Sequence, residues 1–137
     1  MTLWVANSQC DGSRLRSAVL HAQNPVRLAS FSEPQPDIAL LRPREDYYTT
    51  AHPEAGEVLL IVEVAEAGLA YDRDVKVPLY ARHGIPEVWL VDLAGHRLHI
   101  HRAPANGSYQ EVQILAAPGR IALTALSDVA INFEGVV

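Results

Sequence analysis

The chain of 137 residues holds one cysteine, Cys10, and one lysine, Lys76. A single thiol cannot form an internal disulfide, so Cys10 reads as an incidental thiol and nothing recommends an oxidising compartment. No apolar run approaches the ~20 residues that cross a bilayer. The apolar opening Met1 to Val5 is followed by neither a basic n-region nor a small-residue cleavage site. A cytoplasmic protein with no membrane partner is expected. A glycine-rich phosphate loop, GxSxG and HExxH are all missing, which leaves Ser, Cys and His nucleophile schemes without an anchor. Basic excess is missing too, since the formal net charge is -5. That counts against a simple nucleic-acid binder. It does not exclude an enzyme that cleaves phosphodiesters, because such a site needs acidic metal ligands and the metal supplies positive charge outside the tally.

What is present suits one soluble domain: the length is that of a single core, and 49% of the residues are apolar, enough to bury one. Residues 1–20 show no sustained helical or strand period and read as an irregular leader, with residues 21–137 as the domain. Pro25 to Leu28 is a possible short strand. Asp37 then heads the compact apolar run Ile38-Ala39-Leu40-Leu41. A loop over Tyr47 to Gly56 leads into Glu57 to Ala65, apolar at odd and even positions as in a central strand covered on both faces. The spacing of Val75, Leu79 and Arg82 or His83 predicts a helix over Tyr71 to His83. Gly84 sits at its end, and Pro78 leaves its start uncertain. Pro86 to Asp92 reads as a second buried strand, completing a strand, helix, strand unit that crosses over right-handedly. Past Gly95 the pattern alternates. Leu98 and Ile100 share one face, His99 and His101 a solvated outer face, and Asn106-Gly107 turns the chain into Tyr109 to Leu115. A further strand or helical turn is expected around Leu123 to Val129. The fold class is α/β (α+β), a mixed sheet with few helices and a C-terminal antiparallel meander.

Glu63 interrupts the most apolar strand of the chain. A carboxylate covered on both faces costs several kcal/mol in desolvation unless a cation, a metal or a proton compensates it. Asp37 alone could be a turn residue. If their strands are neighbours, about 4.8 Å apart, both acids reach one divalent ion, which prefers oxygen ligands and leaves places for water and phosphate. Lys76 could orient or deprotonate an attacking water beside them. His96, His99 and His101 lack a third ligand at zinc-like spacing, so a solvated sheet face is the better reading of them.

The blocks Pro36-Asp37-Ile38-Ala39-Leu40, Leu60 to Val64, Tyr71-Asp72-Arg73-Asp74-Val75-Lys76, Leu79-Tyr80-Ala81-Arg82 and Gly84 to Asp92 together resemble the Uma-type restriction endonuclease family of the PD-(D/E)XK nuclease superfamily. Their order and spacing carry the resemblance, from about Gln23 to near the C-terminus. It implies a restriction-endonuclease-like mixed sheet flanked by helices, Mg²⁺ or Mn²⁺ at Asp37, Glu63 and Val64, and DNA as the partner. The superfamily's usual lysine position is Ala65 here, and Lys76 matches a position relocated to the following helix. Asp37, Glu63 and Lys76 are therefore the candidate catalytic residues. The leader stands where the family has a glutamate-bearing hairpin and a helix, and Ala65-Glu66-Ala67 stands where a serine is common. The expected activity is metal-dependent DNA cleavage. The alternatives are a catalytically degenerate nuclease fold serving dimerisation or regulation, and hydrolysis of a small phosphate ester. Sheet surface left open without the N-terminal helix predicts a homodimer.

Overall fold

In the computed structural model, residues 4–7, 18–23, 25–29, 32–46, 48–66, 69–124 and 129–135 are described. The centre is set by the two most apolar segments. Strand β4 (Val58–Ala65) is buried throughout except for the half-buried Val64, and β5 (Glu87–Asp92) is buried at every residue. Runs of Val, Leu and Ile without alternation have no face suited to water, so both strands take interior places. They pair in parallel, Glu63 opposite Leu90, which requires a crossover between them. That crossover is one helical segment: α1 (Leu69–Tyr71), a π-helical stretch (Asp72–Lys76) and α2 (Val77–Arg82).

On one side of β4 lie β3 (Ile38–Leu41) and then β2 (Val19–Ala22). On the other side of β5 lie β6 (Arg97–Ala105) and β7 (Ser108–Leu115). The order β2-β3-β4-β5-β6-β7 makes a six-stranded mixed sheet whose last three strands form an antiparallel meander. Asn106 and Gly107 both have positive φ, 54° and 80°. This is the I′ geometry whose twist matches a hairpin, and it is why Asn-Gly turns β6 into β7.

The helical segment covers one face of the sheet, where Val77, Tyr80 and Ala81 pack with Ile61, Ile85, Val88 and Tyr109. A small antiparallel sheet of β1 (Trp4–Asn7), β9 (Val129–Asn132) and β8 (Arg120–Ala122) belongs to the other side. Ile131, Phe133 and Leu123 from this region join Leu60, Val62, Trp89 and Ile100 in a second core, with Trp89 and Phe133 rings 5.6 Å apart.

Several expectations change. Trp4–Asn7 is a strand inside the stretch read as irregular, held by pairing with Val129–Asn132. A partner that distant in sequence leaves no local period. Cys10 lies outside the described residues, as do residues 125–128 of the expected turn before Val129. Pro25 to Leu28 is not a strand, for its only ladder contact is an isolated bridge from Arg27 to Glu54. In the helical segment Val75 is exposed, and Val77, Tyr80 and Ala81 are buried instead. The cause is the π-helical stretch. Pro78 cannot donate a backbone bond, and just before it the Val77 N–H reaches back to the Asp72 carbonyl. The extra residue rotates the later turns about the helix axis and shifts the buried stripe. The end falls as expected: Gly84 takes φ 73°, and the Ile85 N–H closes onto the Tyr80 carbonyl at 3.1 Å. His99 and His101 are buried, not solvated, because α2 lies against β6 and β7 on that face.

Candidate active site

Asp37 is the residue before β3, and Glu63 lies near the end of β4. The antiparallel register of these neighbours ends at Ile38 opposite Val62. Beyond that pair the side chains take over from the ladder. The Asp37 N–H donates to Glu63 Oε1 at 2.9 Å, and the Val64 N–H donates to Asp37 Oδ2 at 2.7 Å. The two acids are thereby fixed at one sheet end.

Glu63 is 1% exposed. Its second oxygen, Oε2, accepts from Lys76 Nζ at 2.6 Å and from the Tyr80 hydroxyl at 3.2 Å. Lys76 also lies 3.7 Å from Asp72 Oδ1. Asp72, Lys76 and Tyr80 are spaced by four, so the helical segment presents all three to the same sheet end. The site thus contains every residue expected from the sequence, together with Asp72 and Tyr80, which the sequence pattern did not single out. The signal was available in the spacing of Asp72, Lys76 and Tyr80, but Pro78 obscured the helical phase.

The electrostatics come from burial. Desolvation pushes the Glu63 carboxyl above its ordinary range, against the opposing pull of Lys76 and the Asp37 N–H. Asp72 is raised for the same first reason, with Lys76 opposing. Burial would lower Lys76, but the hydrogen bond and charge of Glu63, with the charges of Asp72 and Asp37, hold it above the ordinary lysine value. Burial also raises the Tyr80 hydroxyl, and nearby Glu63 adds to this. Lys76 is therefore a fixed cation and Tyr80 a fixed hydrogen-bond donor at neutral pH.

Next to this constellation a cleft of about 500 Å³ is lined in part by Asp37, Val64, Glu66 and Leu93. Among the described residues Asp37 Oδ1 takes no hydrogen bond. Val64 could contribute only its carbonyl oxygen, which in a strand points to the same edge as its N–H, toward Asp37. These donors are all hard oxygen, the chemistry of Mg²⁺ or Mn²⁺. Among the described residues no three His, Cys, Asp or Glu side chains are grouped to hold a metal ion. The set therefore fits an ion that keeps most positions for water and phosphate, as Mg²⁺ does, and does not fit an all-protein cage.

The second buried glutamate of the sheet has a different environment. Glu87 Oε2 accepts from Arg102 Nε and Trp89 Nε1, each at 2.6 Å, and Oε1 accepts from the Thr124 N–H at 2.9 Å. Every one of these partners is structural, and none belongs to the Asp37 end.

A solved structure described as "a putative nuclease belonging to DUF820 from Anabaena variabilis" superposes with TM-score 0.60 at 16% identity. The match covers 84% of this chain and 64% of that one, so the chain spans under two thirds of its length. The fold is that of this nuclease class. Residues 2–134 match the family model described as "Uma2: Putative restriction endonuclease", and the chain belongs to that family. The match starts at residue 2, well before Gln23, so it includes the stretch read as a leader. No curated protein matches the chain. Among the described residues no helix is long and apolar enough to cross a membrane.

Proposed function

We propose that the protein is a metal-dependent endonuclease acting on DNA phosphodiester bonds, with its site at Asp37, Glu63 and Lys76. The observation that carries this reading is the buried Glu63 carboxylate, joined on one oxygen to Lys76 and Tyr80 and on the other to the Asp37 backbone. A structural ion pair needs no second acid at its side and no cleft. Here Asp37 stands beside Glu63 and lines open space.

Asp37, Glu63 and the Val64 carbonyl would hold Mg²⁺ or Mn²⁺, which when bound polarises the phosphate and lowers the pKa of a coordinated water. Lys76 acts on the phosphate as a cation. Its raised pKa suits it to orient the nucleophilic water through a hydrogen bond and to neutralise charge that develops on the phosphoryl oxygens. It is a poor general base at neutral pH for the same reason. Asp72 helps to hold the ammonium in place, and Tyr80 fixes the rotamer of Glu63 without losing its proton. The formal charge of -5 leaves binding of the polyanion dependent on the metal and on local cations.

The test is nicking of supercoiled plasmid by the purified chain with Mn²⁺ or Mg²⁺ against EDTA. Divalent-dependent nicking that disappears in Asp37→Ala supports the proposal. Metal-independent nicking, or none on plasmid and single-stranded DNA alike, overturns it.

A further inference from the structure

The two edges of the six-stranded sheet are unequal. β2 is a four-residue strand, short enough to offer little to another chain. β7 has eight residues, its register with β6 has no shift, and no described strand pairs with its outer edge. Edge strands are usually protected by proline, lysine, a bulge or brevity. Ser108 to Leu115 has none of these, and Glu111 is its one charge. Two of its apolar side chains stand in water, Val112 at 53% and Ile114 at 58% exposure.

The turn decides which backbone groups are free. A two-residue I′ turn makes Ala105 and Ser108 the hydrogen-bonded pair beside it. Beyond it the ladder skips Ala103, at φ 57°, opposite Gln110, and this reverses the count, so that Glu111, Gln113 and Leu115 direct their N–H and C=O groups to β6. Val112 and Ile114 direct theirs outward.

We infer that β7 is the interface for a second copy of this chain, paired antiparallel about a two-fold axis through Gln113. In this register Val112 faces the partner's Ile114, both from the outward-directed set, so their backbone groups can bond reciprocally. Their side chains stand directly opposite each other on one face of the joined sheet, while Gln113 faces the partner's Gln113 and Glu111 faces the partner's Leu115. The symmetry repeats the contact, covering all four exposed apolar side chains. No like charges stand directly opposite. Centring on Glu111 would oppose two carboxylates, and centring on Val112 would set Ile114 against Gln110. Self-complementarity of this kind singles out a second copy as the occupant. The inference does not depend on the nuclease reading.

Sedimentation velocity of the full chain at micromolar concentration should show a dimer. Val112→Lys with Ile114→Lys should give a monomer with an unchanged far-UV spectrum, since both side chains are exposed. Val112→Pro should do the same, because it removes an N–H that the monomer fold does not use. In a Cys10→Ser background, Val112→Cys with Ile114→Cys should yield a disulfide-linked dimer on mild oxidation, and Cys10→Ser alone should not. A wild-type monomer overturns the inference. So does a dimer that survives both edge variants, which would place the interface elsewhere.

Discussion

Asp37 and Glu63 are latched to each other across two strands: the Asp37 N–H is held by Glu63 Oε1, and the Asp37 carboxylate holds the N–H of the residue after Glu63. Each acid thus satisfies a backbone donor that the end of the β3–β4 ladder would leave unpaired.

That preformed latch predicts a stability response to divalent ions. A ligand that binds only the folded state stabilises it by mass action, by roughly 2.7 kcal/mol at about 100 times Kd. Millimolar Mn²⁺ should raise the melting temperature relative to EDTA, and Asp37→Ala should lose most of that rise. Superimposable wild-type melting curves with Mn²⁺ and EDTA would remove the metal from the account.

For Lys76 the structure assigns a second burden. Lys76→Ala should reduce nicking by about 10²-fold or more, as expected when one positioned cation is lost. It should also destabilise the fold, because Glu63 keeps only Tyr80 and the Asp37 N–H. The Lys76 side chain is 27% exposed, so the expected cost is about 1–3 kcal/mol, below that of a fully buried pair. Lys76→Met combined with Glu63→Gln should recover stability and not cleavage. If the double variant cleaves at the wild-type rate, the pair is structural.

The sequence made the central strands legible because their apolar runs allow one environment only, and Glu63 was conspicuous for interrupting one of them. Glu87 heads an equally buried strand and drew no such notice. Burial alone cannot tell the two apart. Only the partners separate them, and Arg102, Trp89 and the Thr124 backbone converge through tertiary structure. His99 and His101 were misplaced for a related reason: alternation identifies two faces of a strand but not what covers the polar one. The π-helical turn before Pro78 had no periodic signature, so the helical spacing read from Val75 and Leu79 did not reveal the buried stripe of Val77, Tyr80 and Ala81. Strand β1 could not be foreseen because its pairing partner lies more than a hundred residues away.

Glu87 supplies a control for the site. Arg102→Leu strands a carboxylate of 0% exposure, but the Arg102 side chain is 27% exposed, so the substitution should cost about 1–3 kcal/mol in unfolding free energy. The Arg102 side chain contacts Glu87 and the Ala122 carbonyl, not Asp37 or Lys76. The Mn²⁺-induced rise in melting temperature should therefore persist. Loss of that rise in a variant that still folds would show the two glutamates to be coupled.

Acid should destabilise the protein through His101. This side chain is 6% exposed, its ring lies 5.9 Å from that of Tyr109, and among the described residues its Nε2 has no hydrogen-bond partner. Burial first, and the neighbouring His99 second, push its pKa down from 6.5 to about 4. Below pH 6.5 the unfolded chain takes up a proton at this position that the folded chain refuses until about pH 4. The contribution to stability is therefore complete above pH 6.5, is lost as the pH falls toward 4, and changes little below that. At about 1.4 kcal/mol per pH unit, the loss over this window is roughly 3 kcal/mol. His101→Phe keeps the ring and removes the titration, so its urea midpoint should vary much less between pH 7 and pH 4 than that of the wild type. His99, also lowered by burial but with Asp92 opposing, should leave a smaller residual slope. An unchanged wild-type slope in His101→Phe would assign the acid sensitivity to the carboxylates instead.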